Sequence, residues 1–167
     1  MKRKSTPRKK QKTNVSSQIL EYQNPWLFEG KPFTSDMIGN YYGFVYCITN
    51  LKTGKRYIGR KYFYKTVKKG KRRIKVESDW KDYWSSSELV KKDVDLLGKD
   101  SFKREIISLH VTKGDTNYFE NYMLFKMGVL EEPEDNRTFY NDNIMNRYYY
   151  KSMKNVGKKR KISSTFC

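Results

Sequence analysis

The sequence predicts an α+β fold, one small domain in which a mostly antiparallel, three-stranded sheet is flanked by helices. Residues 44–63 read as two short apolar runs around a polar turn, with a tyrosine in each run, and 44–49 are nearly all apolar or β-branched. Two segments with helical spacing, 85–98 and 115–128, each close on a glycine and enclose a strand-like run. Finally, 167 residues with 37% hydrophobic and 16% aromatic content support a single core, small and built in part from Tyr, Phe and Trp.

Residues 1 to about 18 are polar and basic, with little to bury, and read as an arm. In "ILEYQNPWLFEGKPFTSDMIGNYYG" the side chains of Ile19, Leu20, Trp26, Leu27, Phe28 and Phe33 are expected to pack as an irregular strap over the core. Residues 44–49 suit a buried strand, and "NLKTGK" is a turn with Asn50 and Gly54 as its turn residues. "RYIGRKYFYKTV" begins as the second strand. With "KKGKRR" as a polar turn and "RIKVESDW" returning, 62–77 reads as a basic β-hairpin inserted in the domain and projecting from it. "SSSELVKKDVDLLG" is a helix capped by serines, with Val90, Val94 and Leu97 at helical spacing and Gly98 as its stop. "SFKREIISLHV" is a strand. "DTNYFENYMLFKMG" is a second helix, with Phe119, Met123 and Met127 on one face, and "RTFYNDNIM" is a last extended piece. The order is β-β-(hairpin)-α-β-α-β. It divides the chain into a basic N-terminal arm and strap (1–36), a central domain (37–146) and a basic C-terminal tail (147–167).

Charge narrows the function. Of 36 Lys and Arg residues, seven lie in 1–13, nine in 60–75 and seven in 147–167, and none of these stretches contains an acid. Removing those 23 leaves 13 basic residues against 18 acidic ones, so a mildly negative body carries three basic stretches. That is the footprint of a polyanion binder, nucleic acid above all. No basic stretch has the apolar face that a membrane surface requires, and no run is apolar enough to span a bilayer. The basic N-terminus lacks the apolar run of a signal peptide. Two cysteines, Cys47 and Cys167, make no disulfide framework, and with His110 as the one histidine no His/Cys zinc site can be assembled. Nucleases that need two histidines are thereby excluded, His110 receives no role, and the setting is read as a reducing cytoplasm.

"FVYCITN" followed by "RYIG" resembles the two strand motifs of the GIY-YIG nuclease family. Phe44-Val45-Tyr46 stands in place of Gly-Ile-Tyr, and Tyr57-Ile58-Gly59 matches the second motif. "SSSELVKKDVDLLGKDSFKREII" resembles the family's serine-capped helix, glycine stop and following strand. Glu120 sits where the family has its metal-binding glutamate, and "FYNDNI" (139–144) resembles the late asparagine motif. The resemblance covers roughly 41–146 and is nearest to phage-encoded homing endonucleases of the Seg type. It implies a GIY-YIG-like catalytic domain, a metal-dependent endonuclease that hydrolyses phosphodiester bonds in double-stranded DNA. It further implies one divalent ion, Mg²⁺ or Mn²⁺, with no small-molecule cofactor, no membrane partner, a monomer, and the host cytoplasm as the setting if phage-encoded.

The residues fit such chemistry. Hydrolysis requires a deprotonated water, a stabilised phosphate and a helped leaving oxygen. Tyrosine, with a pKa near ~10, is a poor base alone, but adjacent cations and a metal favour phenolate. Arg60 and Lys61 follow Tyr57 directly. The resemblance puts Tyr46 and Tyr57 side by side on neighbouring strands, with the base role open to either; the alternative is a pair of ordinary amphipathic core aromatics. Met123, Leu124 and Met127 lie three, four and seven positions after Glu120, so the carboxylate shares their apolar face and needs a cation there. The alternative is a capping box, Asn117-x-x-Glu120. Asn141 positions water or phosphate through its amide, or stabilises a turn.

The family's helical arginine has no clean counterpart. Lys61 and Lys81 are the preferred substitutes, ahead of Arg60, Arg72 and Arg73, and the aromatics Trp80, Tyr83 and Trp84 either hold the Lys81 ammonium or form a satellite core. Arg60, Lys68, Lys69, Lys71, Arg72 and Arg73 are expected to bind DNA. The competing reading is a non-catalytic basic module that binds DNA or RNA on the same scaffold.

Overall fold

A computed structural model describes residues 22–152. In chain order the strands are β1 (Leu27–Phe28), β2 (Lys31–Pro32), β3 (Gly43–Asn50), β4 (Arg56–Tyr62), β5 (Tyr64–Lys69), β6 (Arg72–Glu77), β7 (Phe102–His110), β8 (Asn143–Ile144) and β9 (Tyr148–Tyr149). The helices are α1 (Glu88–Leu97) and α2 (Lys113–Lys126).

β3, β4 and β7 supply the three antiparallel strands expected, with β3 in the middle. The buried Asn50 makes the β3–β4 turn, its side-chain oxygen accepting the N–H groups of Lys52 and Thr53. The sheet nevertheless has five strands, ordered β2-β1-β7-β3-β4, because part of the expected strap is itself extended. β1 and β2 pair around Glu29 and Gly30, which take φ of 51° and 78°, and β1 then runs parallel to β7. Trp26 and Phe33 at the two ends of this small hairpin are fully buried.

Side chains alternate across the sheet, and both faces are covered. On one, Phe44, Tyr46, Ile48 and Ile106 meet Trp26, Phe33, Phe63, Trp80 and the Val90 and Val94 of α1. On the other, Val45 and Ile58 meet Leu124 of α2 together with Val129, Leu130 and Phe139. α1 has Ser87 at its N-cap, but the hydroxyl that bonds locally is that of Ser85, which accepts the Ser87 N–H; Gly98 ends the helix at φ 80°. α2 starts at Lys113, where the Thr112 hydroxyl accepts the Asp115 N–H. Its buried residues are Thr116, Glu120 and Leu124, one turn apart. That corrects the expected Phe119–Met123–Met127 face: Phe119 and Met123 are half-buried and Met127, past the helix end, is exposed, because α2 packs on β3 and β4 through the Thr116–Glu120–Leu124 stripe.

Arg104 on β7 is buried, and its guanidinium donates to the carbonyl oxygens of Asn24, Lys81 and Tyr83. One side chain thus ties the N-terminal strands and the 80–84 loop to the central sheet. β5 and β6 form a separate two-stranded ribbon within the expected 62–77 hairpin, rooted on the buried Phe63. No helix among the described residues is long and apolar enough to cross a membrane.

Candidate active site

β4 is one of the two edge strands of the sheet, and a cleft of ≈ 560 Å³ opens along it. Tyr46, Tyr57, Arg60, Lys61, Glu120 and Asn141 all line it. Alternation places Tyr57, Gly59 and Lys61 on the α1 side of β4, and Ile58, Arg60 and Tyr62 on the α2 side. The cleft therefore wraps the sheet edge and draws on both faces.

Gly59 is what lets the tyrosines converge. It pairs with Tyr46 across the strands, and a Cβ there would lie 2.6 Å from the Tyr46 hydroxyl and 2.8 Å from the Tyr57 ring. The Tyr46 side chain instead passes over the bare backbone, its ring 6.2 Å from that of Tyr57. The Tyr57 hydroxyl lies 3.1 Å from Ser86 Oγ, and the Tyr83 ring stands edge-on to Tyr46 at 6.1 Å. Burial pushes the Tyr57 phenol up to about 12 and that of Tyr46 well above its ordinary value, with neighbouring phenols and Glu120 adding to the rise. For Tyr57 burial outweighs the lowering hydrogen bond with Ser86, and the phenols are raised, contrary to what Arg60 and Lys61 beside Tyr57 suggest in the sequence.

Glu120 enters from α2, 9% exposed. Burial lifts its carboxyl, and the opposing pull of the Arg60 guanidinium, which donates to it directly, does not cancel that lift. Arg60 Nε also donates to the Tyr62 hydroxyl at 3.2 Å, and Tyr62 in turn donates to Asn117. The capping-box alternative is removed, because α2 begins a turn before Asn117. Arg60, expected on the DNA backbone, is instead the direct partner of the buried carboxylate.

Lys61 Nζ sits 3.7 Å from the centroid of the Tyr83 ring and 2.8 Å from Asp79 Oδ1, and this contact lowers the Asp79 carboxyl. Lys81 lies outside the cleft, 3.7 Å from Glu77 and 5.6 Å from the Trp80 ring centroid. The aromatic segment 80–84 thus meets both ammonium groups, Lys81 over Trp80 and, more closely, Lys61 over Tyr83, and of the two Lys61 lines the cleft. Asn141 turns its amide to β4: Oδ1 accepts the Ile58 N–H at 2.9 Å and Nδ2 donates to the Ile58 carbonyl at 2.8 Å. It fastens the 139–143 segment along the strand, where Asn143 joins the lining. Lys68, Lys69, Lys71, Arg72 and Arg73 lie exposed on the β5–β6 ribbon, away from the cleft. Residues 1–21 and 153–167, which hold most of both basic arms, lie outside the described residues.

Tyr62, Ser86, Asn117 and Asn121 also line the cleft. Only tertiary contact brings them there, and no local pattern marks them. Among the described residues no three His, Cys, Asp or Glu side chains cluster as a metal cage. What the cleft offers is one desolvated carboxylate among amide and hydroxyl oxygens, all hard donors. This suits a small divalent ion that completes its shell with water and phosphate oxygens.

Residues 26–144 match a family model described as "Putative endonuclease segE, GIY-YIG domain". No curated protein and no solved structure matches the chain.

Proposed function

The chain belongs to the GIY-YIG nuclease family as a DNA endonuclease hydrolysing phosphodiester bonds, and from that premise we propose that it cuts double-stranded DNA at the β4 cleft with one divalent ion at Glu120. Mg²⁺ or Mn²⁺ fits the oxygen donors, and the Seg-type kinship supports a phage homing role. The observation that carries the reading is the Glu120 carboxylate, turned inward and desolvated in a cleft shared with two phenols from adjacent strands.

Glu120, with phosphate oxygens, would hold the ion, which would supply positive charge to the phosphate and the leaving oxygen. Arg60 neutralises Glu120 in the free cleft and, once displaced, is free to pair with phosphate, as its planar fork allows. Lys61, steadied by Tyr83 and Asp79, is the second cleft cation and takes the place assigned to the missing helical arginine. Tyr46 and Tyr57 are neutral phenols in the free protein, so they hold water and phosphate by hydrogen bonds. Asn141 acts as a positioning residue through the Ile58 backbone. The exposed ribbon cations and the basic arms neutralise flanking phosphates.

Supercoiled plasmid incubated with Mg²⁺ or with chelator tests the reading. Glu120→Gln is expected to bind DNA as the wild type does and to lose metal-dependent cutting by at least ~100-fold. Wild-type cutting by this variant removes Glu120 from the chemistry, and binding without a cut under any divalent ion favours the non-catalytic module.

A further inference from the structure

The β5–β6 ribbon carries Lys65, Lys68, Lys69, Lys71, Arg72, Arg73 and Lys75, and the only acid within it is Glu77 at its root. The strand register sets Lys68 directly opposite Arg73 and Lys69 directly opposite Arg72. Like charges facing each other across a ladder weaken it. Lys61, Lys91 and Lys103 each meet a carboxylate within 3 Å, whereas none of these four cations has a carboxylate within 4 Å among the described residues. Two consecutive repulsive pairs, one on each face of an exposed ribbon, are a standing cost that a bound polyanion relieves.

Alternation sorts the ribbon into two unlike faces. Val67, Ile74 and Val76 share one with Lys65, Lys69 and Arg72. The other holds Tyr64, Thr66, Lys68, Arg73, Lys75 and, at the root, Glu77, which accepts the Trp80 Nε1–H; these are hydrogen-bonding groups throughout apart from the Tyr64 ring, over which Lys75 Nζ sits at 4.0 Å. Six residues per strand make a ribbon of roughly 20 Å, and the major groove, about 12 Å wide, admits a two-stranded ribbon.

The ribbon's root is fixed to the cleft. Phe63 N–H donates to the Tyr42 carbonyl (3.0 Å), Ser78 N–H to Phe63 O (2.8 Å) and Ser78 Oγ to Tyr62 O (2.6 Å). Asp79, one residue further, holds the cleft's Lys61 at 2.8 Å.

We infer that the Thr66–Lys68–Arg73–Lys75 face of this ribbon enters the major groove of double-stranded DNA, reads guanine-containing sequence there, and so sets the cut at a fixed offset from what it reads. Lysine and arginine are the side chains that match the O6 and N7 acceptors of guanine. The cations of the apolar face, at the ribbon's flank, meet phosphate and carry no sequence information. The inference rests on the reading of the β4 cleft as the cutting site.

The test maps cut ends from a randomised duplex library with the full-length protein, for wild type, a Lys68→Ala/Arg73→Ala/Lys75→Ala variant and a Lys65→Ala/Lys69→Ala/Arg72→Ala variant. The wild type is expected to show a guanine-bearing preference at constant distance from the cut, with roughly tenfold or greater discrimination per read position. The first variant should flatten it. The second should keep the same pattern while weakening binding and the salt slope. Arg73→Lys, which keeps the charge and loses the fork, should weaken preference at one position only. A flat wild-type pattern, or an unchanged pattern in the first variant, overturns the inference, as does loss confined to the second. If the wild type cuts no DNA, the nuclease reading fails instead, and the same variants are compared on duplexes selected by binding without metal, with the same outcomes deciding.

Discussion

Gly59 shows how much of the site hangs on the absence of a side chain. Gly59→Ala would drive a methyl into the Tyr46 hydroxyl and the Tyr57 ring, at 2.6 Å and 2.8 Å. The strand and its ladder bonds can persist, but both phenols must move. The expected result is a stability loss of ~1–3 kcal/mol and a single-turnover rate lower by at least ~100-fold; a near wild-type rate would mean that the tyrosine positions do not matter. Arg60 poses a different question, since the charge that neutralises Glu120 also stands where a metal is needed. Removing it should tighten metal binding even without DNA. Arg60→Ala is expected to bind Mn²⁺ about tenfold more tightly in paramagnetic resonance titrations, a gain of ~1.4 kcal/mol. Equal or weaker affinity would remove the competition between guanidinium and metal. The tyrosines and Glu120 were legible from motif and periodicity. The Arg60–Glu120 pair was not, because 60 residues separate the partners and only the packing of α2 on β4 joins them.

The element that most depends on one side chain is the 80–84 loop. Its Tyr83 backs both Lys61 and Tyr46, and Arg104 holds that loop by its carbonyls. Burial lowers the Arg104 guanidinium to about 10, so the charge is costly where it sits. Removing it relieves that cost but strands the carbonyls of Asn24, Lys81 and Tyr83, each worth ~1–3 kcal/mol when unsatisfied. The second effect is the larger. Arg104→Met is expected to lose ~2 kcal/mol in urea unfolding and to slow cleavage more than it weakens DNA binding; unchanged stability would show that the loop holds itself. In the sequence Arg104 is an ordinary charge on a strand. By contrast the β3–β4 turn was readable, since Asn50 and Gly54 determine it locally. α2 was readable as a helix but its buried stripe was not, because two of the three residues in it, Thr116 and Glu120, are polar and apolar periodicity passes over them.

Across the whole molecule the charge is divided: an acidic-leaning body, a basic ribbon tied to the cleft, and basic ends. Seven of the cations precede residue 14. Deleting residues 1–13 is expected to weaken binding to uncut duplex and to reduce the salt slope by up to ~6, since each neutralised phosphate contributes roughly 0.9. The cleavage step measured at saturating DNA should stay the same, and an unchanged slope would mean that the arm does not touch DNA. What the sequence determined by itself is whatever is fixed by neighbours along the chain: the strand pair, the glycine stops, the ribbon and the distribution of charge. Tertiary structure alone decided the two added strands, the buried stripe of α2, the choice of Lys61 over Lys81 in the cleft, and the use of the Asn141 amide on backbone. The reason is physical. Propensity and periodicity act over a few residues, whereas the solvation and partner of a side chain are set by whatever distant segment packs against it.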